Sequence, residues 1–272
     1  MPSIHIDYAR CDGDGICADV CPSRLYVMRG NRPETIKGAA ERCIACGHCV
    51  AACPKAAISL EGMSPDECIP VEPGLRISSD AAEHFLMRRR SVRAYKDKAV
   101  PHDVLEEILD MARWAPSATN RQPVQWIVFE KPEGVRQVAA IVAGWMQEMM
   151  AQDMEAARSY RLPGIVAMFQ QGQDLICRGA PHLLLAHAPA GVPFMAQDCT
   201  AAITYVELAA LSRDLGTCWA GFVTWAANAS TALRDSLELP KGNQVYGGLM
   251  LGHPKYRYRR IPERFEQVVR WR

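Results

Sequence analysis

Seven of the eleven cysteines fall before residue 54. Four of them, Cys43, Cys46, Cys49 and Cys53, stand at C-x2-C-x2-C-x3-C with Pro54 following. With that spacing one loop wraps a cubane iron-sulfur cluster: three close thiolates reach three corners, and the fourth, turned away before the proline, reaches a second cluster. An earlier run, Cys11, Cys17 and Cys21-Pro22, fits the same template except that Asp14 occupies the second ligand position, a carboxylate in place of a thiolate. Zinc knuckles prefer paired C-x2-C units and account poorly for this order. An odd number of cysteines crowded at one end is no disulfide framework either, and points to metal in a reducing compartment. Cys177, Cys199 and Cys218 sit in apolar runs and read as core residues.

A second chemistry is written in arginine. Arg88-Arg89-Arg90-Ser91-Val92-Arg93 sets fixed cations and a hydroxyl directly after a helical stretch, a composition suited to a phosphate and one further acceptor. Neither G-x-G-x-x-G nor G-x-x-x-x-G-K-[ST] occurs, so neither a Rossmann site nor a P-loop is signalled. His182 and His187 flank an apolar run and read as satisfied core histidines, and His253 carries no catalytic signal.

The elements that must position these groups fall in two parts. Cysteine density and the Pro- and Gly-bearing stretch Glu61 to Asp80 divide the 272 residues into a domain 1–62, a linker 63–79 and a domain 80–272. In the first, Ile4 to Tyr8 alternates like a strand and the rest reads as turns, so cofactor must replace core. In the second, helices are expected over Ala81–Arg90, over Pro101–Trp114 with apolar residues at 104, 105, 108, 109 and 112, and over Thr200–Leu215. Strands are expected at Trp126–Glu130, His182–His187 and Tyr246–Leu251, which makes the domain α+β. Trp145, Met146, Met149, Met150 and Met154 lie on a helix that forms core or dimer contacts or lids the site.

Composition excludes other classes. Lys plus Arg total 31 against 30 for Asp plus Glu, so no basic field exists for nucleic acid. The two uncharged stretches of 19 residues, Gly179 to Gln197 and Leu215 to Leu233, are broken by polar and helix-breaking residues and do not read as membrane spans. With no secretory signal in the opening residues, a cytoplasmic location is expected.

The first 60 residues resemble two-cluster bacterial ferredoxins. The resemblance implies one [4Fe-4S] cluster on Cys43, Cys46, Cys49 and Cys21, and another on Cys11, Cys17 and Cys53. Asp14 either completes that second cubane through a carboxylate oxygen or leaves a three-iron [3Fe-4S] cluster. Residues 80–272 resemble the nitroreductase family of FMN enzymes through four segments in order. These are Arg89-Arg90-Ser91-x-Arg93, the loop Ala115–Pro123 with the strand after it, Asp214–Phe222, and Leu251–Pro262. The resemblance implies that Arg89, Arg90 and Ser91 contact the FMN phosphate and ribityl chain and that Arg93 lies near flavin N1 and the C2 carbonyl. It also implies that Pro116, Ser117, Asn120 and Gln122 pass against the flavin, that Gly221 offers backbone near N5, and that Arg260, assisted by Arg259, meets the phosphate. Some members that use NAD(P)H carry an acidic residue just before the Gly221 position; here it is Ala220.

The expected fold is therefore a ferredoxin-like 2[4Fe-4S] domain followed by a nitroreductase-like α+β FMN domain, in an intertwined homodimer. The expected function is an FMN-dependent oxidoreductase. A low-potential donor such as ferredoxin delivers electrons through two clusters to FMN, which reduces a small planar molecule such as a nitroaromatic, quinone or activated alkene. No side chain is compelled as a proton donor. Two other readings stand beside it: an electron-transfer or redox-sensing module without small-molecule turnover, and a flavin-dependent oxidative reaction.

Overall fold

The computed structural model of the chain describes residues 2–272. The chain divides into two compact units, one running to Arg76 and joined by Ala118–Arg121, the other comprising Ile77–Ser117 and Gln122–Arg272.

The first unit contains β1 (Ile4–Ile6), α1 (Ile16–Val20), β2 (Tyr26–Arg29), β3 (Arg32–Thr35), α2 (Ala39–Arg42), α3 (His48–Ala52) and β4 (Ile58–Leu60). Short helices and two antiparallel pairs, β1 with β4 and β2 with β3, thus stand where the sequence reads mostly as turns. The two cysteine runs fold alike at an offset of 32 residues, since 43 − 11 and 53 − 21 both equal 32. Gly15 and Gly47 cap α1 and α3 in the left-handed region, at φ 75° and 73°. Cys21 and Cys53 end the same helices in extended backbone, and Arg24 and Ala56 turn left-handed at φ 49° and 50°. A side chain at Gly47 would be strained at that φ and would press its Cβ to 2.8 Å from Met63 Sδ. The buried core is small, made of Ile6, Leu25, Tyr26, Ala39, Val50, Ile58 and Leu60 together with Cys17 and Cys49.

Glu61 to Asp80 holds two short 3₁₀ turns, Pro65–Glu67 and Pro73–Leu75, with Ile69, Val71 and Leu75 exposed.

The second unit contains α4 (Ser79–Met87), α5 (His102–Asp110), β5 (Gln125–Phe129), α6 (Pro132–Gln152), α7 (Met154–Ser159), α8 (Leu162–Gln170), β6 (His182–Pro189), α9 (Met195–Ser212), β7 (Gly216–Trp219), α10 (Gly221–Ala229), α11 (Thr231–Ser236) and β8 (Asn243–Gly252). Its sheet is antiparallel in the order β5-β6-β8-β7. In β6, Leu183 and Leu185 enter one core with α6, α8, α10 and α11. Leu184, Ala186 and Ala188 enter another with α5 and α9. Each leucine removed from water contributes about 1.5–3 kcal/mol, so this strand fastens both helix layers.

Helix α4 begins two residues before the expected Ala81, because Ser78 Oγ accepts from Ala81 N–H at 3.2 Å. It ends three residues before the expected Arg90, because Ser91 is drawn into a bridge with Thr217 and Val92 N–H donates to Thr217 O at 2.8 Å. That approach needs Gly216: a Cβ there would lie 2.5 Å from Val92 Cγ2. Trp145 and Met146 are buried core, Met149 and Met150 pack partly against it, and Met154 is exposed. Cys177, Cys199 and Cys218 are buried. His182 Nε2 accepts from Val100 N–H at 2.8 Å, and His187 Nδ1 meets Asn243 Nδ2 at 2.9 Å. Among the described residues, no helix is long and apolar enough to cross a membrane.

Candidate functional site

Soft donors converge in the first unit. Cys21, from the end of the first run, and Cys43, Cys46 and Cys49, from the second, line one cavity walled by Ile4, Leu25, Tyr26, Ile44 and Leu60. The backbone prepares the sulfurs: Leu25 N–H donates to Cys21 Sγ and Ala57 N–H to Cys53 Sγ, both at 3.4 Å. Such donors favour thiolate over thiol. Burial works the other way, pushing the Cys17 thiol up to about 11 and raising Cys49 as well. A buried thiolate there needs positive charge to hold it, which iron supplies. Among the described residues, no three His, Cys, Asp or Glu side chains close on the span of one metal ion. Four cysteines spread around a cavity suit the corners of a cluster better than the single centre of a zinc site.

In the first run, Asp14 is exposed, and its Oδ1 accepts from Ile16 N–H at 3.0 Å at the start of α1. Its charge and that of Cys11 both act on Cys17, adding to the effect of burial.

The second unit gathers cations. Arg88, Arg89, Arg90, Lys96, Lys255, Arg257, Arg259 and Arg260 line one cleft of about 1250 Å³, against two acids, Glu207 and Asp214. The balance makes it an anion site. Arg88 lies at the C-terminal end of α4, where the helix dipole favours positive charge. It donates to Leu211 O at 3.1 Å and lies 3.6 Å from Asp214. Of the expected flavin residues, Arg89, Arg90, Arg259 and Arg260 share this cleft, whereas Ser91, Arg93, Pro116, Ser117, Asn120, Gln122 and Gly221 do not line it. Arg93 is exposed and donates to Ser91 O at 3.3 Å. His253 lines the cleft with a buried Nε2 that has no hydrogen-bond partner among the described residues.

Glu207 is the residue that sequence reading missed. It is 6% exposed on α9 and accepts from Arg89 at 3.4 Å, Thr217 Oγ1 at 3.1 Å and Trp219 Nε1 at 3.1 Å. The one available signal was an acid inside the Ala-rich stretch Thr200–Leu215. Removing the acceptor strands the buried Thr217 hydroxyl, while the Trp219 indole N–H and Arg89 are both partly open to water, so Glu207→Ala is expected to cost roughly 1–3 kcal/mol. Calorimetry should register this as a drop of several degrees in melting temperature, with Glu207→Gln falling less. An unchanged melting temperature in both variants would mean that the carboxylate organises nothing.

The Ala115–Pro123 loop is built on unusual backbone. Thr119, Asn120 and Gln122 have φ of 51°, 54° and 48°. Left-handed non-glycine residues are costly and concentrate where function demands them. Ser117 Oγ accepts from Gln122 N–H at 3.0 Å, and Arg121 Nε donates to Thr119 Oγ1 at 2.9 Å. Asn120 belongs with the first unit, donating from Nδ2 to Ile44 O at 3.1 Å and Ala45 O at 3.0 Å. Pro116 is exposed. Gly221 is the first residue of α10, and the residue before it, Ala220, is 1% exposed.

Comparison with known proteins agrees with this two-part chemistry. Residues 86–253 match the nitroreductase family, and residues 3–54 match the 4Fe-4S dicluster domain. The NADH dehydrogenase of Thermus thermophilus is 29% identical over 202 residues, covering 70% of this chain and 96% of that protein. The FMN reductase (NAD(P)H) of Bacillus subtilis is 26% identical over 186 residues, covering 68% and 70%. A nitroreductase from Bacteroides fragilis, crystallised with bound FMN, shares the fold with a TM-score of 0.55 at 22% identity, covering 69% of this chain and 98% of that one. The chain belongs to the nitroreductase family of FMN oxidoreductases and carries a 4Fe-4S dicluster domain ahead of its α+β unit.

Proposed function

We propose that the protein takes single electrons from a low-potential donor at its iron-sulfur domain and uses them, at FMN, to reduce a small planar electrophile such as a nitroaromatic, quinone or activated alkene. One observation carries the reading: the same chain holds a thiol-lined cavity and a separate cation-lined cleft. When bound, the clusters supply one-electron transfer and FMN supplies hydride transfer.

The chain's residues hold these groups and bias their charge. Cys21, Cys43, Cys46 and Cys49 ligate one cluster, and Cys11, Cys17, Cys53 and Asp14 the other. Arg89, Arg90, Arg259 and Arg260 neutralise the flavin phosphate, and Ser91 meets the ribityl chain. Arg93 supplies a fixed cation where reduction adds negative charge. Pro116, Ser117, Asn120, Gln122 and Gly221 provide the backbone and polar groups along the flavin. A homodimer fits the apolar surface left uncovered: α4 buries no residue, and Phe265, Val268 and Trp271 are 99%, 95% and 90% exposed. Reduced thiolates of this kind belong to a reducing, cytoplasmic setting.

The relatives named for NADH or NAD(P)H favour a second reading, in which a nicotinamide reduces the flavin directly. Ala220 argues against it, since no carboxylate stands before Gly221.

Anaerobically purified protein should contain about one FMN and on the order of seven to eight irons per chain. Zinc in place of iron would end the cluster reading. Asp14→Cys should restore the missing thiolate, giving a four-thiolate cubane with altered EPR and, had the parent held three irons, one more iron. Identical spectra and iron content would remove Asp14 from the ligand set.

A further inference from the structure

We propose that Tyr26 is a redox-tuning residue, its phenol hydroxyl donating to the sulfur of Cys49 and raising the reduction potential of one cluster of the pair. The inference rests on the reading that Cys21, Cys43, Cys46 and Cys49 hold a cluster.

Tyr26 opens β2, where its backbone pairs with Thr35, and its side chain is 6% exposed in the core that also contains Cys49. It lines the cavity on which the four thiols converge. Its hydroxyl is buried and meets no acceptor in full hydrogen-bond geometry among the described residues. Folded proteins rarely leave such a group standing, so an orphan hydroxyl at a cavity wall points to what the cavity holds. Of the four thiols on that cavity, Cys49 is the buried one, and it shares both the core and the cavity wall with Tyr26. An iron-bound thiolate is a better acceptor than a neutral thiol. A donor to a ligand sulfur stabilises the reduced cluster, which carries one more negative charge, and so raises its potential.

The repeat makes the proposal specific. At the offset of 32 residues the counterpart of Tyr26 is Ile58, buried and without a donor. The backbone donors at Cys21 and Cys53 are matched at 3.4 Å, so beyond the exchange of Cys46 for Asp14 in the ligand set the two clusters differ in a hydroxyl that only one possesses. That asymmetry gives electrons a preferred resting place.

The test is Tyr26→Phe, which keeps the ring and removes the hydroxyl, in full-length anaerobic protein titrated potentiometrically with EPR detection of each cluster. The one-electron reduction equilibrium of one cluster should fall about tenfold, equivalent to ~59 mV, with the other unchanged. Should the variant lose its cluster, resonance Raman spectra of the wild type in H2O and D2O decide the matter. A solvent-isotope shift of the Fe–S(Cys) bands larger than backbone donors alone produce in Tyr26→Leu, whose side chain has no donor, supports the bond, and an equal shift refutes it. Two potentials unchanged by Tyr26→Phe would overturn the tuning role while leaving the cluster reading intact. Absence of iron in the wild type would instead overturn the cluster reading itself.

Discussion

Cys46→Ser and Cys49→Ser proteins are expected to retain FMN while losing donor-driven turnover. Both cysteines line the cavity of the first unit together with Cys21 and Cys43. Serine offers a harder, shorter ligand that does not match the reach or softness of a thiolate to iron. Changes merely adjacent to a metal ligand already cost about 10–100-fold in affinity or activity, and deleting a ligand should exceed that, so reduction driven by reduced ferredoxin should fall roughly 100-fold or more. Flavin retention should survive because the cation cleft is built from the second unit, whose two cores contain neither cysteine. Flavin and iron contents, with steady-state rates, check both halves. Flavin reduced chemically beforehand should still discharge to a quinone at the wild-type rate, which separates loss of electron supply from loss of the reaction.

Arg89→Ala and Arg260→Ala should each weaken FMN retention by about tenfold or more, from a loss of roughly 1.5–3 kcal/mol per charged hydrogen bond. The larger effect belongs to Arg89. Its guanidinium lies 3.4 Å from Glu207, so its removal also leaves a buried carboxylate facing the anion site without its cation. Arg260 is exposed on the same cleft, and its contribution should shrink as salt is added, whereas that of the part-buried Arg89 should persist. Equilibrium dialysis of FMN against the apoproteins at low and high ionic strength measures both. Wild-type affinity in both variants would reduce the arginine run to a solvated surface.

What the sequence disclosed follows from the range over which each signal acts. The cysteine runs were legible because ligand spacing is a local property of the chain, and β6 was legible because eight successive residues, His182–Pro189, are apolar or buried. The strand β7 was visible only as a motif, since four residues beginning with Gly216 carry little pattern of their own. The end of α4 was misplaced because Thr217, more than a hundred residues away, captures Ser91 and Val92. Glu207 was illegible for the same reason: its partners stand at 89, 217 and 219. In the first unit, the template shared by the two cysteine runs was legible, but the helices α1 and α3 within them read as turns, because five residues carry little period and the left-handed backbone at Arg24 and Ala56 is not announced by their side chains.

The central claim, that electrons enter at the clusters, is tested most directly by stopped-flow reduction of the anaerobic wild type, following cluster and flavin absorbance together. With a reduced low-potential donor, cluster bleaching should precede flavin bleaching, flavin reduction should disappear in Cys46→Ser, and NADH or NADPH should be slow in both proteins. Fast flavin reduction by NADH, at the same rate in wild type and Cys46→Ser, would contradict the account and leave the iron-sulfur domain a structural or regulatory role.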